Sequence, residues 1–337
     1  MKCVERGSKR RFIMQDNERR MYELEYPAPP VDEGPTLVVA MHGYADAGLS
    51  VESSADHLKA ALESRPLATF NSDELIDYRS RRPAVTIDID QPVEVESLDL
   101  DIRVLKDTEG KPFLLLSGPE PDLRWESFTK AVSELVTRFD VKNTICLYAA
   151  PMPVPHTRPL VVTAHGNSAE LVSRMVRMES KMIVPGSASF YIERELAQRG
   201  RNVAGYTAHV PHYLASSPYP HATHQLLDAV SEAAGLTLPL KSLEHDIERV
   251  DNQLEEQVND SEEIVHVVRS LEDQYDAYME RYRTEHPQAI MPGEQNVPTG
   301  EEISAEFQRF LADLDTVDDF LDEDKDDHDD SNPEDDF

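Results

Sequence analysis

The sequence predicts an α/β fold, a three-layer α/β/α sandwich that carries a C-terminal helical extension. Three observations predict it: short apolar runs that end at turn residues, helical stretches between several of those runs, and a switch to purely helical periodicity after Gly235.

The first run, Thr36-Leu-Val-Val-Ala-Met41, ends at His42-Gly43 and has the pattern of a strand buried on both faces of a sheet. Gly48 closes a turn, after which Val51, Ala55, Leu58 and Leu62 step at helical spacing until Arg65-Pro66 ends the helix. Further runs at Phe113–Leu116, Thr144–Tyr148, Leu160–Thr163 and Asn202–Thr207 predict strands, with helices at Leu123–Phe139 and Ser189–Gln198 between them. Strands alternating with helices imply a mostly parallel sheet covered on both faces.

Between Ala84 and Leu116 the pattern alternates instead. Val85, Ile87 and Ile89, then Leu98, Leu100, Ile102 and Val104, interleave with polar residues, and Asp107-Thr-Glu-Gly110 has hairpin-turn chemistry. An antiparallel excursion at one sheet edge is expected. Beyond Gly235, Leu240, Leu243, Ile247, Val250 and Leu254 form one helical stripe, and Ile264, Val268, Leu271, Tyr275, Tyr278 and Tyr282 form a second after a capping box at Asp260-Ser-Glu-Glu263. Each stripe lasts only about three heptads, which favours an intramolecular hairpin over an oligomeric coiled coil. The expected organisation is an N-terminal segment over 1–30 that need not be ordered, a sandwich over 31–238 and a helical hairpin over 239–286. A linker with a short helix at Ile303–Leu314 then covers 287–312, and an acidic tail covers 313–337.

The chain carries a formal net charge of −32, and residues 313–337 hold 14 Asp or Glu against one Lys, a net −13. Such a segment has little apolar surface to bury, so it reads as a disordered tail, a solubilising appendage before an electrostatic contact for a basic partner. Nucleic-acid binding needs clustered Lys and Arg, and the only candidate is Lys9–Arg11 with Arg19 and Arg20, so a nucleic-acid partner is not expected. No run is long enough for a membrane span and no signal-peptide core follows the N-terminal charges, which predicts a cytoplasmic chain. Cys3 and Cys146 fit a reducing compartment and offer no CxxC or thiolate metal site.

Ligands of a doubly wound sheet sit beyond the carboxyl ends of its strands. The residues there are His42, Gly43, Asp46 and Gly48, then His165, Gly166 and Asn167, then His209, His212 and Tyr213. His209, His212, His221 and His224 form two His-x-x-His pairs, but no HExxH or spaced carboxylate accompanies them and Pro211 breaks the register, so ordinary loop histidines are the preferred reading and no metal is assigned. Neither Ser168 nor Ser187 lies in a GxSxG elbow, and a set such as Ser187, His165 and Asp46 has nothing beyond residue types to support it. Gly43 and Gly48 lack the Lys-Ser/Thr of a phosphate loop, so they read as a strand-to-helix turn with Asp46 capping the helix. No catalytic residue and no cofactor is assigned.

The run Leu37-Val-Val-Ala-Met-His-Gly-Tyr-Ala-Asp-Ala-Gly48 resembles the opening strand, turn and helix of the proteasome assembly chaperone two family. Val203-Ala-Gly-Tyr-Thr-Ala-His-Val-Pro-His-Tyr-Leu214, Pro220-His-Ala-Thr-His-Gln-Leu-Leu227 and Gly235-Leu236 resemble its last core strand, tyrosine-leucine loop and following helix, so the likeness spans roughly Thr36 to Leu254. Tyr78-Arg-Ser-Arg-Arg-Pro83, the helical extension and the acidic end resemble the family's actinobacterial branch. The resemblance implies a phosphorylase/hydrolase-like sandwich similar to purine nucleoside phosphorylases and a chaperone-like assembly factor. That factor would have a protein partner, with the proteasome as the implied one, and would form a homo-oligomer. Some archaeal relatives dock through a terminal hydrophobic-tyrosine-any tripeptide; Asp335-Asp336-Phe337 does not offer it. The alternative is a nucleoside- or phosphate-like ligand site, or a hydrolase- or phosphorylase-like enzyme, using His42, Asp46, His165, Asn167 and His212.

Overall fold

The computed structural model describes residues 21–31, 34–173, 175–177, 181–259, 261–287 and 289–294. The expectations for residues 1–20, the Ile303–Leu314 helix and the acidic tail lie outside the described residues.

In chain order the first half contains β1 (Tyr22–Leu24), β2 (Thr36–His42), α1 (Ser50–Ala61), β3 (Ser64–Phe70), α2 (Ser72–Leu75), β4 (Val85–Asp88), β5 (Gln91–Val95), β6 (Asp101–Lys106), β7 (Pro112–Pro119) and α3 (Trp125–Arg138). The second half contains β8 (Asn143–Met152), β9 (Val162–Gly166), α4 (Ala169–Val172), β10 (Val176–Arg177), α5 (Ala188–Gln198), β11 (Asn202–Pro211), α6 (Pro220–Ala234), α7 (Glu244–Asn259) and α8 (Glu262–Glu285). Nine strands form one sheet in the order β1-β3-β6-β7-β2-β8-β11-β9-β10.

Strand β2 is buried without interruption from Thr36 to Met41 because β7 and β8 bond to its two edges while helices cover both faces. On one face Val38, Ala40, Ile145, Leu147 and Tyr206 pack with Val51 and Leu58 of α1 and Leu226 and Val230 of α6. On the other, Leu37, Val39, Cys146 and Tyr148 pack with Phe128 and Val132 of α3 and Ile192 and Leu196 of α5. The three-layer α/β/α sandwich follows directly from that alternation.

The sheet is mixed rather than mostly parallel. Parallel pairing joins β7, β2, β8 and β11, and β9 to β10, but β1-β3, β3-β6, β6-β7 and β11-β9 are antiparallel. The reversal at β9 has a simple cause: no helix lies between Met152 and Val162 to carry the chain back across the sheet. Two further strands depart from the expected outline. Tyr22–Leu24 is not a loose N-terminal segment but an edge strand paired with β3, and Met21 beside it is buried. Pro66 lies inside a strand, at the register shift between Pro66 and Ala68, where a residue without an N–H costs least. The alternating stretch at 85–95 leaves the main sheet altogether and makes a separate two-stranded ribbon.

Helices α7 and α8 form an antiparallel hairpin whose turn is capped by Ser261, its hydroxyl accepting from the Ile264 N–H. Leu243 and Leu254 join the α6-side core, and Tyr275 and Tyr282 pack with Val161 and Val176. The Tyr275 hydroxyl donates to the Pro159 carbonyl at 2.7 Å, and the Arg158 guanidinium grips both Asp276 oxygens at 2.8 Å. The hairpin thereby belongs to the same compact unit as the sheet.

Short helix α4 is tied to the core by one buried bond, the Tyr206 hydroxyl donating to the Leu171 carbonyl at 2.7 Å. Tyr206→Phe leaves that carbonyl buried without its donor and is expected to cost about 1–2 kcal/mol. Urea denaturation checks this, and an unchanged midpoint would show that water replaces the hydroxyl.

Candidate functional site

At the carboxyl edge of the parallel block, the chain leaves β2 at His42 and must start α1 at Ser50. Asp46 makes this turn: its carboxylate accepts from Val51 N–H at 2.7 Å and Glu52 N–H at 3.2 Å, bonding free donors of the first turn of α1. Burial pushes its carboxyl up to about 6, against the downward pull of those N–H bonds. Gly48 has φ +69°, and a side chain there would come within 2.9 Å of Tyr219 Cβ. Its N–H donates to Ala215 and its carbonyl accepts from Tyr219, so the turn is also stitched to the loop before α6. Gly43 makes room for the buried Glu120, whose Oε1 accepts from the first N–H of α5, that of Ala188, at 2.6 Å. Ser187 caps the same helix through Phe190 N–H. His42 sits beside Glu52 at 3.8 Å, its pKa lowered chiefly by burial.

His165, Gly166 and Asn167 are not part of this edge. Because β9 runs against β11, His165 pairs with Gly205 and Gly166 with Ala204, near the start of β11. Asn167 clamps that end, its side-chain amide donating to Arg201 O and its oxygen accepting from Val203 N–H, each at 2.9 Å. His165 instead enters a buried chain. Its Nε2 lies 2.9 Å from one oxygen of Glu193, whose other oxygen accepts from the Tyr148 hydroxyl at 2.6 Å. Phe190 stacks on Tyr148 at 4.6 Å. Gly205 supplies the space, since a Cβ there would lie 2.4 Å from the His165 ring. Ser187, His165 and Asp46 are thus spent on three separate tasks.

Of the two His-x-x-His pairs, His209 and His212 separate, whereas His221 and His224 of α6 line one cleft. His209 faces the α5 side, 3.2 Å from the Thr163 hydroxyl, and burial pushes its pKa down to about 4. His212 is exposed, set edge-on to Tyr213, whose hydroxyl lies 2.7 Å from His156 Nδ1. His221 pairs with Asp251 at 2.7 Å. Among the described residues no group of three His, Cys, Asp or Glu is placed to hold a metal ion. A cleft of about 650 Å³ lies between the 156–160 loop, α6 and α7, lined by His156, Arg158, His221, His224, Asp251 and Glu255. His212 and Tyr213 border a smaller groove of about 390 Å³ on the other side of α7.

The PAC2 family profile matches residues 40–258, which span both strand-end turns and the first helix of the hairpin. The chain belongs to the PAC2 family. Among solved structures it is similar to a Corynebacterium glutamicum protein of unknown function, at 57% identity over 78% of this chain and 100% of that one, with a TM-score of 0.77. A Mycobacterium tuberculosis protein of unknown function is 45% identical over 79% of this chain and 92% of its own, with a TM-score of 0.76. A second M. tuberculosis protein, described as a proteasome-assembly chaperone homologue, shares the fold at 24% identity over 69% of this chain and 99% of its own, TM-score 0.64. No curated protein matches the chain.

Within this PAC2 chain, sequence reasoning missed Glu193, Glu120 and the cleft residues His156 and Arg158. Glu193 had a readable signal, because it falls on the α5 stripe of Ala188, Ser189, Ile192 and Leu196, where a carboxylate needs a buried partner. Burial lowers the His165 pKa, but bonding and charge pairing with Glu193 outweigh it and hold the imidazole above its ordinary value. The pair therefore adds stability below the unfolded histidine pKa of about 6.5 and loses it as pH rises through the raised folded value. The thermal midpoint of the wild type, relative to Glu193→Gln, is expected to be highest near pH 5.5 and to shrink toward about pH 8.5. A gap that is constant with pH would show that His165 is not charged in the folded state.

Proposed function

We propose that this PAC2 protein is a cytoplasmic protein-interaction factor of the assembly-chaperone type, self-associating, with a proteasome-related partner. The observation that carries the reading is where the polar strand-end residues spend their bonds: Asp46, Glu120 and Asn167 all accept from main-chain N–H groups. In the matched region these side chains hold loops and helix starts in place, which suits a scaffold whose outer surface does the work. The M. tuberculosis relative described as a proteasome-assembly chaperone homologue supports the choice of partner. No described helix is long and apolar enough to cross a membrane.

The test is reconstitution with unassembled proteasome subunits from the same organism. Native mass spectrometry is expected to find a complex of defined stoichiometry that disappears once the mature particle forms. Subunits that assemble at the same rate and elute identically with and without the chain would remove the proteasome from this reading.

A second reading rests on the 650 Å³ cleft, where His156, His221 and Asp251 converge beside the apolar Leu160 and Ile247. It moves the small-molecule alternative away from His42, Asp46, His165 and Asn167. Thermal-shift screening with nucleosides, phosphate and divalent metals tests it, since a ligand at 100 times its Kd stabilises by about 2.7 kcal/mol. His221→Ala should abolish any shift that arises in the cleft, and a panel without shifts would retire the reading.

A further inference from the structure

The cleft between the 156–160 loop, α6 and α7 is acidic at its polar end. Among the described residues Arg158 is the one Lys or Arg on its wall, and its guanidinium is already held by Asp276 and Glu272. A phosphate or carboxylate ligand would meet no free Lys or Arg there. Asp251 and Glu255, by contrast, stand four residues apart on one face of α7, where like charges repel. Asp251 gives one oxygen to His221 at 2.7 Å, and Glu255 makes no hydrogen bond or ion pair among the described residues.

Tyr219, just before α6, points to the same ligand chemistry independently. It lines the cleft with its ring 5.2 Å from that of His221, and it is only 4% exposed. Its hydroxyl nevertheless has no hydrogen-bond partner among the described residues. Burial, with the nearby Tyr213 and the Asp251 charge, pushes its pKa up, so the hydroxyl keeps its proton. A buried hydroxyl left unpaired costs free energy, and this one opens on a cavity whose other free groups are carboxylates. Leu160, Ile247 and Val258 add an apolar strip to the same wall.

We propose that the cleft binds a protonated alkylamine, its ammonium held by Asp251, Glu255 and the Tyr219 hydroxyl and its carbon chain laid against Leu160, Ile247 and Val258. An ammonium carries three N–H donors and no acceptor, which matches three acceptors that lack donors. The inference rests on the small-molecule reading of the cleft above and replaces nucleosides and phosphate as the ligand class. A free amine and a lysine side chain present the same chemistry, and the test separates them.

Isothermal titration of the full-length chain extends the panel above with 1,4-diaminobutane, Nα-acetyl-lysine amide and, as the uncharged match, 1,4-butanediol. An amine is expected to bind and the diol not; tighter binding of the lysine amide assigns the site to a protein side chain, and tighter binding of the diamine to a free amine. Glu255→Gln and Tyr219→Phe are each expected to weaken binding about tenfold. Tyr219→Phe is the sharper variant, because a cation drawn only by the chain's net charge of −32 does not sense the loss of an uncharged hydroxyl. Its urea midpoint should match that of the wild type, since the hydroxyl has no partner to lose. Amine binding that either variant leaves unchanged, or a diol that binds as well, would overturn the inference. Phosphate, a nucleoside or a divalent metal bound in place of the amines, with the signal lost in His221→Ala, would overturn it and leave the cleft reading standing. An extended panel in which nothing binds would overturn both.

Discussion

The turn between His42 and Ser50 is the constraint on which the architecture depends. There the chain leaves a strand buried on both faces, crosses the sheet end and starts a helix, and each backbone polar group on the way needs a partner. Asp46 bonds the helix start, Ala45 accepts from the Ala149 N–H of β8, and Gly48 exchanges bonds with Ala215 and Tyr219. One seven-residue connection thus fixes β2, α1, β8 and the entry to α6 together. Its glycine and aspartate are set by the geometry of that junction, which explains why residues placed where a ligand would bind are occupied by the fold itself.

What the sequence made legible follows from the same logic. Runs buried on both faces, such as β2, β8 and β11, announce themselves because nothing polar fits within them. Strand direction does not announce itself in composition, so the sequence alone sets His165 beside the other strand-end histidines. The missing sign was topological: a stretch with no helical period between Tyr148 and Leu160 cannot return a strand in parallel. Strand β3 was hidden by Pro66, which ends a helix as readily as it occupies a strand bulge. Strand β1 is three residues long, too short for a period to show.

The stretch at 85–95 teaches a different lesson. Alternating apolar and polar residues specify a ribbon with one apolar face, yet they do not say what that face meets. Around β6 the same pattern is absorbed by the core, because β3 and β7 flank the strand and Leu100, Ile102 and Val104 pack in one buried cluster. Among the described residues no further strand flanks β4 and β5, so the pattern persists outside the main sheet.

The reversal of β9 decides where any chemistry could gather. Had β9 been parallel, His165 and Asn167 would stand near His42 and Asp46, and a polar pocket of the kind found at sheet switch points would follow. Running backwards, β9 takes them to the far edge, where Asn167 holds Val203 and His165 pairs with a buried glutamate. The same reversal places the 153–161 loop at the carboxyl edge, and Arg158 and Pro159 of that loop anchor α8. The absence of a single crossover helix therefore does two things at once: it disperses the polar residues that looked convergent, and it creates the ledge on which the helical hairpin is built.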